Sequence, residues 1–338
     1  MAHSKTKFDA VSAARTIFSL IRTDMDAVES EYERQISSNI QFLDHLGKYL
    51  KDSGGKRVRP ALLLLSYRSV LSGVGEKDVS AVRLASVMEM LHTATLVHDD
   101  IIDNADRRRN RPSINSKFGN QTAVLIGDWL YMSAFETSLA ERDLEILDIL
   151  TRLTRLMTEG ELIQLTVLGS TRLTVDDYFD ILRRKTAYLF SACCEIGALL
   201  AGASVGQREA LRDYGLNLGM AFQLADDVLD FVADDGTLGK KAGVDLLEGK
   251  LTLPLLLYLE KNPEATKWLE DIMLNGAYGP LEREGLLEKL LSSGVIEETR
   301  RKAFSFAEAA RKNLDVLQAS EYRNALEEIP IYMIEREK

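Results

Sequence analysis

The sequence predicts an all-α fold, a multi-helix bundle, on three observations. Apolar residues recur every three or four positions over long stretches, which is the helical period. Only six prolines occur in 338 residues (Pro60, Pro112, Pro254, Pro263, Pro280 and Pro330), and they fall between those stretches. Alternating apolar and polar runs, which would mark half-buried strands, are nearly absent.

From Leu84 to Asp103, the residues Leu84, Val87, Met88, Leu91, Thr95 and His98 keep to one face for about five turns. The stretches from Ala123 to Ala140, Glu145 to Leu168, Val175 to Leu200 and Glu209 to Phe231 have the same period. Glycine or charge marks loops at Lys51 to Arg59, Asn104 to Gly119 and Ala233 to Lys250, and Asn275 to Glu284 reads as a surface connection. With no break in composition and no short internal repeat, residues 1–338 read as one domain.

Apolar residues make up 46% of the chain, enough for a large core. The formal charge of -10 argues against nucleic acid as a partner, because phosphate backbones select a basic face. The only cysteines, Cys193 and Cys194, are adjacent in an apolar stretch, where a bridge would be strained; both read as reduced core thiols, as in a cytoplasmic protein. The N-terminus carries Asp9, Arg15, Arg22 and Asp24 and lacks the features of a signal peptide. Ala187 to Gly202 contains Glu195 and is too short to span a bilayer, so it reads as a buried helix.

The three loops carry or adjoin most of the chemistry. An acidic pattern occurs twice, as Asp99, Asp100 and Asp103 in HDDIID and as Asp226, Asp227 and Asp230 in ADDVLD. The spacing puts the first and third carboxylates one helical turn apart. Acids crowded on one face repel unless a cation neutralises them, and hard oxygen donors on rigid helices suit magnesium. Each triplet ends an apolar helical run, and together they are far more specific than either alone. GGKRVRP, from Gly54 to Pro60, offers Lys56, Arg57 and Arg59 on a glycine-rich turn; His92 lies two turns before Asp99, and Arg107, Arg108, Arg109 and Arg111 follow the first triplet. Arginines beside a metal site suit a diphosphate with its magnesium ions.

Together these residues resemble the trans-isoprenyl diphosphate synthases, the polyprenyl synthetase family, and most of all its long-chain octaprenyl and solanesyl type. The likeness extends to GELIQL at Gly160 to Leu165, KTAYLF at Lys185 to Phe190, FQLADDVLDF at Phe222 to Phe231 and GKKAGVDLLEGKLTLP at Gly239 to Pro254. Asn110 departs from the family's glycine, though asparagine tolerates a positive φ there. The resemblance implies helices around a deep central cavity. It also implies that Lys56, Arg59, His92 and Arg109 hold isopentenyl diphosphate, while Arg108, Lys185 and Lys240 hold an allylic geranyl, farnesyl or geranylgeranyl diphosphate. Asp99, Asp103 and Asp226 become the main metal ligands, supported by Asp100, Asp227 and Asp230. Three magnesium ions are implied, with manganese able to replace them. Thr186 and Gln223 lie near the allylic carbons, and the chain forms a homodimer with no membrane span, touching a membrane only peripherally for product release.

The implied reaction is loss of diphosphate from the allylic carbon, attack by the isopentenyl double bond and loss of a proton, with water excluded. A metal phosphohydrolase built on His98 and Asp99 would need more histidines than His3, His45 and His92 supply, and a silent partner subunit would be expected to have lost a triplet. In the family, the position five before the first aspartate lies under the growing tail. Here it is Ala94, with Thr95 beside it and Leu91 deeper along the helix, and no aromatic residue occurs between Leu84 and His98. A product of about thirty to fifty carbons is expected, since no packed wall closes the path, with a shorter fifteen-to-twenty-five-carbon product as the alternative.

Overall fold

The structure, a computed structural model, describes residues 16–52, 54–71, 78–109, 111–232 and 243–335. Sixteen α-helices account for most of them. These are α1 (Arg22–Ile36), α2 (Gln41–Asp52), α3 (Val58–Val70), α4 (Asp78–Ile102), α5 (Ile114–Phe118), α6 (Asn120–Leu139), α7 (Leu144–Val167) and α8 (Val175–Leu182). Then follow α9 (Tyr188–Leu200), α10 (Val205–Val232), α11 (Val244–Leu247), α12 (Leu253–Lys261), α13 (Thr266–Asn275), α14 (Glu282–Ser292), α15 (Val295–Asn313) and α16 (Glu321–Glu335).

The expected all-α class holds, with one small departure. Arg107–Arg108 and Arg111–Pro112 form a two-stranded antiparallel hairpin, β1 and β2, inside the loop that follows the first aspartates. The expected helix from Val175 to Leu200 is also divided, because residues Arg183–Ala187 form a π-helical turn between α8 and α9. A capping box starts α8, in which the Thr174 side chain accepts from the Asp177 N–H and the Asp177 carboxylate accepts from Thr174.

Helix α3 is apolar on all sides and is correspondingly enclosed by α4, α9 and α16. Leu62, Leu63, Leu64 and Leu65 are each 1% exposed or less, and burial of each contributes about 2 kcal/mol. Pro330 lies inside α16 rather than between helices. Lacking an N–H, it leaves the Leu326 carbonyl without its helical donor. The buried Tyr214 hydroxyl of α10 donates to that carbonyl at 2.7 Å, so the interruption becomes a tertiary contact.

Two apolar cores form, and α10 runs through both. Its Leu211, Tyr214 and Leu218 belong to the core shared with α1 to α4, α6, α7, α9 and α16. Its Met220, Leu224, Val228 and Phe231 belong to the core shared with α8 and α12 to α15. The close fit of α10 on the preceding helix needs small residues: a Cβ on Gly215 would come within 2.5 Å of the Phe190 carbonyl oxygen. A cavity lined by residues of both cores, Met157 and Leu189 of one and Tyr178, Leu182 and Leu251 of the other, opens between them.

Candidate active site

A cavity of about 310 Å³ is lined by Arg59, His92, Asp99, Lys185, Thr186, Gln223 and Asp227. Five of these are the expected substrate or metal ligands, and Thr186 and Gln223 the expected neighbours of the allylic carbons, so the fold brings together residues spread over half the chain. Apolar side chains, among them Met157, Leu173, Leu182 and Leu189, share its walls with Gln164, Asp245 and Lys250.

The first triplet ends α4, and its members face different partners. Asp99 lines the cavity; burial raises its pKa to about 6, with Glu161 and Asp103 adding to the rise and Lys185 and Arg108 opposing it. Asp100 is buried and accepts from Arg108 Nε and Nη2, both at 2.8 Å. Asp103 accepts from Lys250 Nζ at 3.0 Å. His98 turns toward α6, with Nε2 3.1 Å from the Val124 carbonyl and 3.5 Å from Asp128. The His-Asp pair that a phosphohydrolase would need is therefore not formed.

The second triplet lies near the end of α10. Asp227 is buried and accepts from the Tyr178 hydroxyl and, at 3.1 Å, from Gln223 Nε2. Burial raises its pKa to about 7, which the charges of Asp226 and Asp230 reinforce and the two hydrogen bonds oppose. Asp230 accepts from the Val244 N–H at 3.3 Å through Oδ1, while Oδ2 is buried with no partner among the described residues. Asp226 is half-buried between them in charge terms, felt by both Asp227 and Arg59.

Lys185 projects from the π-turn, where it donates to Gln164 at 2.6 Å and pairs with Glu161. The turn can lie this close to α7 because residue 160 is glycine; a Cβ there would sit 2.6 Å from the Arg184 Cβ. Thr186 donates to Gln223 Oε1 at 3.0 Å. A hydrogen-bonded line thus runs from Thr186 through Gln223 and Asp227 to Tyr178.

The basic loop approaches from the α3 side. Lys56 is exposed. The Arg59 guanidinium lies 5.1 Å from the Phe190 ring centroid, and its buried Nε has no hydrogen-bond partner among the described residues. Arg109 has a left-handed φ of 50° and donates to the Gly54 carbonyl, joining the arginine hairpin to the glycine turn. Burial, then Arg59, Arg109, Arg108 and Arg57, drive the His92 pKa well below its usual value, so the ring is neutral. Lys240 and Asn110 lie outside the described residues. Of the three residues expected to set product length, Thr95 lines the cavity, whereas Ala94 and Leu91 are fully buried and are not part of its lining.

Sequence reasoning missed Lys250, Tyr178, Glu161 and Gln164 as individual residues, although three of them lie in the quoted motifs. Tyr178 gave no signal of its own, because a tyrosine on the apolar face of a short helix reads as core.

The donors fit a hard divalent cation. Carboxyls held near 6 and 7 and an unpartnered buried carboxylate oxygen mark negative charge that the protein alone leaves poorly compensated. Among the described residues no three His, Cys, Asp or Glu side chains converge on one point.

The polyprenyl synthetase family model matches residues 40–288. The octaprenyl diphosphate synthase of Escherichia coli (strain K12) is 36% identical over 320 residues, 94% of this chain and 98% of that one. A geranylgeranyl diphosphate synthase of Methanosarcina mazei is 37% identical over 295 residues, 86% and 88% of the two chains. Among solved structures, a polyprenyl synthase from Caulobacter crescentus CB15, complexed with calcium and isoprenyl diphosphate, superposes with a TM-score of 0.89 at 36% identity, covering 96% of this chain and 98% of that one. No helix among the described residues is long and apolar enough to cross a membrane. With both triplets, the KT turn and the basic loop assembled on this architecture, the chain belongs to the polyprenyl synthetase family and is a prenyltransferase.

Proposed function

We propose that the chain condenses an allylic prenyl diphosphate with successive isopentenyl diphosphates to an all-trans product of about thirty to fifty carbons, the range in which a tail must run far along an apolar cavity. The observation that carries this reading is the mixed lining of that cavity, in which Asp99, Asp227, Arg59 and Lys185 share the walls with Met157, Leu182 and Leu189. Identity to an octaprenyl and to a geranylgeranyl synthase is nearly equal, so product length is argued from the walls. No aromatic side chain of α4 enters the cavity.

Lys185 and Arg108, with Lys240, bind the allylic diphosphate, and Lys56, Arg59, Arg109 and neutral His92 bind the isopentenyl diphosphate. Magnesium, held by Asp99, Asp103 and Asp226 with Asp100, Asp227 and Asp230 in support, would oppose the charge growing on the departing diphosphate. The hydroxyl of Thr186 and the amide oxygen of Gln223 are fixed to each other beside the cavity, where their dipoles stabilise the allylic cation. Leucines and Met157 keep water from trapping that cation.

The unit is one domain acting as a homodimer. Helix α6 supports the dimer with an exposed apolar stripe, in which Leu125 and Met132 are 68% and 62% exposed and Leu139, seven positions further on, continues the same face. Incubation with labelled isopentenyl diphosphate, farnesyl diphosphate and magnesium, followed by chromatography of the dephosphorylated product, tests the activity and the length together. A product that stops at twenty or twenty-five carbons overturns the length, and no product overturns the reading. Thr95→Phe or Ala94→Phe should shorten the product, the first by entering the cavity and the second by displacing its wall.

A further inference from the structure

Glu89 lies on α4 one turn before His92, and only 5% of its surface is exposed. A carboxylate buried beside a site for a diphosphate should repel the ligand, so its presence there needs a reason. Arg57 Nη1 donates to it at 2.7 Å. The same guanidinium donates from Nε and Nη2 to Glu29 of α1, at 2.5 and 3.2 Å, and lies 5.2 Å from the ring centroid of Tyr32. Tyr32 in turn donates to Thr93 at 3.2 Å, and Thr93 to the Glu89 carbonyl at 2.8 Å. All three guanidinium nitrogens of Arg57 are thus engaged by carboxylates. The residue itself adopts a left-handed φ of 49° where the loop enters α3.

The charge of Glu89 also reaches beyond Arg57. It supports the protonated forms of Arg59 and Arg109, which burial disfavours; apart from Glu89, the charges acting on Arg109 are the cations Arg108 and Arg57, while Arg59 also feels Asp226. In GGKRVRP, then, the cations divide between two tasks. We propose that Glu89 is a positioning residue of the isopentenyl diphosphate site, fixing Arg57 as a strut that sets the turn of the basic loop and offsetting the repulsion between Arg59 and Arg109. Arg57 is withheld from the substrate so that Lys56, Arg59 and Arg109 can converge on it. Helix α1, which precedes the residues matched by the family model, contributes through Glu29 and Tyr32.

The inference rests on the reading of the basic loop as the isopentenyl diphosphate site, and it predicts the opposite sign from simple electrostatics. Glu89→Gln keeps the shape, removes one negative charge, and should raise the Michaelis constant for isopentenyl diphosphate about tenfold while that for farnesyl diphosphate stays within about twofold. Glu89→Asp should recover part of the loss, and Glu29→Gln should give a smaller rise of the same kind. Arg57→Gln should match Glu89→Gln, with the double variant no worse than either single one, because both remove the same strut. A Michaelis constant for isopentenyl diphosphate that falls or stays unchanged in Glu89→Gln overturns the proposal, as does full additivity with Arg57→Gln, which would make Arg57 a direct ligand. Should Glu89→Gln not fold, as judged by circular dichroism, Glu29→Gln decides on the same readout, its carboxylate being 37% exposed. Lys56→Ala separates the two levels: if it leaves the isopentenyl diphosphate constant unmoved, the site reading fails, and if it alone raises that constant, only the role of Glu89 fails.

Discussion

The two aspartate triplets have the same spacing on two long helices, yet the protein neutralises them differently. On α4 the second and third carboxylates meet cations, Arg108 on Asp100 and Lys250 on Asp103. On α10 the corresponding carboxylates meet neutral donors, the Tyr178 hydroxyl and Gln223 amide on Asp227 and the Val244 N–H on Asp230. A cation partner offsets a full charge, whereas a neutral donor stabilises a charge without cancelling it. Among the described residues, then, the second and third carboxylates of the first triplet face counter-charges, whereas those of the second face neutral donors. Identical motifs do not imply identical electrostatics, because the partners come from elements far away in sequence.

The largest effect should come from removing the leading carboxylate of either triplet. Asp99→Ala and Asp226→Ala should each lower turnover about a thousandfold, equivalent to ~4 kcal/mol of transition-state stabilisation. The far-ultraviolet circular dichroism should stay that of the parent. Near-normal turnover in one variant would break the symmetry of the pair and remove that aspartate from the metal site.

The contrast sharpens with pH. Burial, reinforced by Asp226 and Asp230, holds the Asp227 carboxyl at about 7 against an ordinary value of 3.8. The folded protein thus keeps a proton that the unfolded chain releases. This group contributes stability that is complete below the unfolded value and is lost as pH rises through about 7. Asp99, held at about 6, acts in the same sense with a smaller displacement. Metal-free protein should therefore melt a few degrees higher at pH about 6 than at pH about 8. Magnesium selects ionised carboxylates and should flatten or reverse that trend. Melting curves recorded with chelator and with magnesium test this, and identical pH profiles in both would show that neither carboxyl belongs to the metal site.

What the sequence made legible, and what it did not, follows the same division. The helical period located α6, α7 and α10 to within four residues and α4, which starts at Asp78 rather than Leu84, to within six, and glycine and charge marked the connections, because those signals are local. The connection expected from Asn275 to Glu284 lies between α13 and α14, which end at Asn275 and begin at Glu282. The π-turn at Arg183–Ala187 had no local signal; it lies where α7 closes on the chain at Gly160, a contact between distant segments. Charge motifs announced the anionic ligand and the metal, but not which side chains neutralise which. Arg57 and Arg59 look equivalent in GGKRVRP, yet one is held by two glutamates and the other lines the cavity. Pro330 misled for a related reason, since only the Tyr214 hydroxyl makes its place inside α16 tolerable.

The smallest effect expected here is also the most selective for the second triplet. Tyr178→Phe keeps the ring, and with it the edge-on contact to Phe179 at 5.3 Å between centroids, while deleting the hydroxyl that donates to Asp227. Its loss leaves a buried carboxylate oxygen of Asp227 without that donor. A destabilisation of about 1–3 kcal/mol should follow in metal-free protein. Because the hydroxyl favours the charged form of Asp227, its removal should raise the carboxyl pKa further and increase the magnesium needed for half-maximal rate, by about threefold to tenfold for a partner that orients a ligand without touching the metal. Turnover at saturating magnesium should then approach that of the parent, which a purely structural defect would not predict. No neutral deletion can imitate this in the first triplet, where the partner of Asp100 is a cation. If Tyr178→Phe lowers stability but leaves the magnesium dependence unchanged, the hydroxyl serves packing alone, and the second triplet does not depend on its neutral donors in the way its geometry implies.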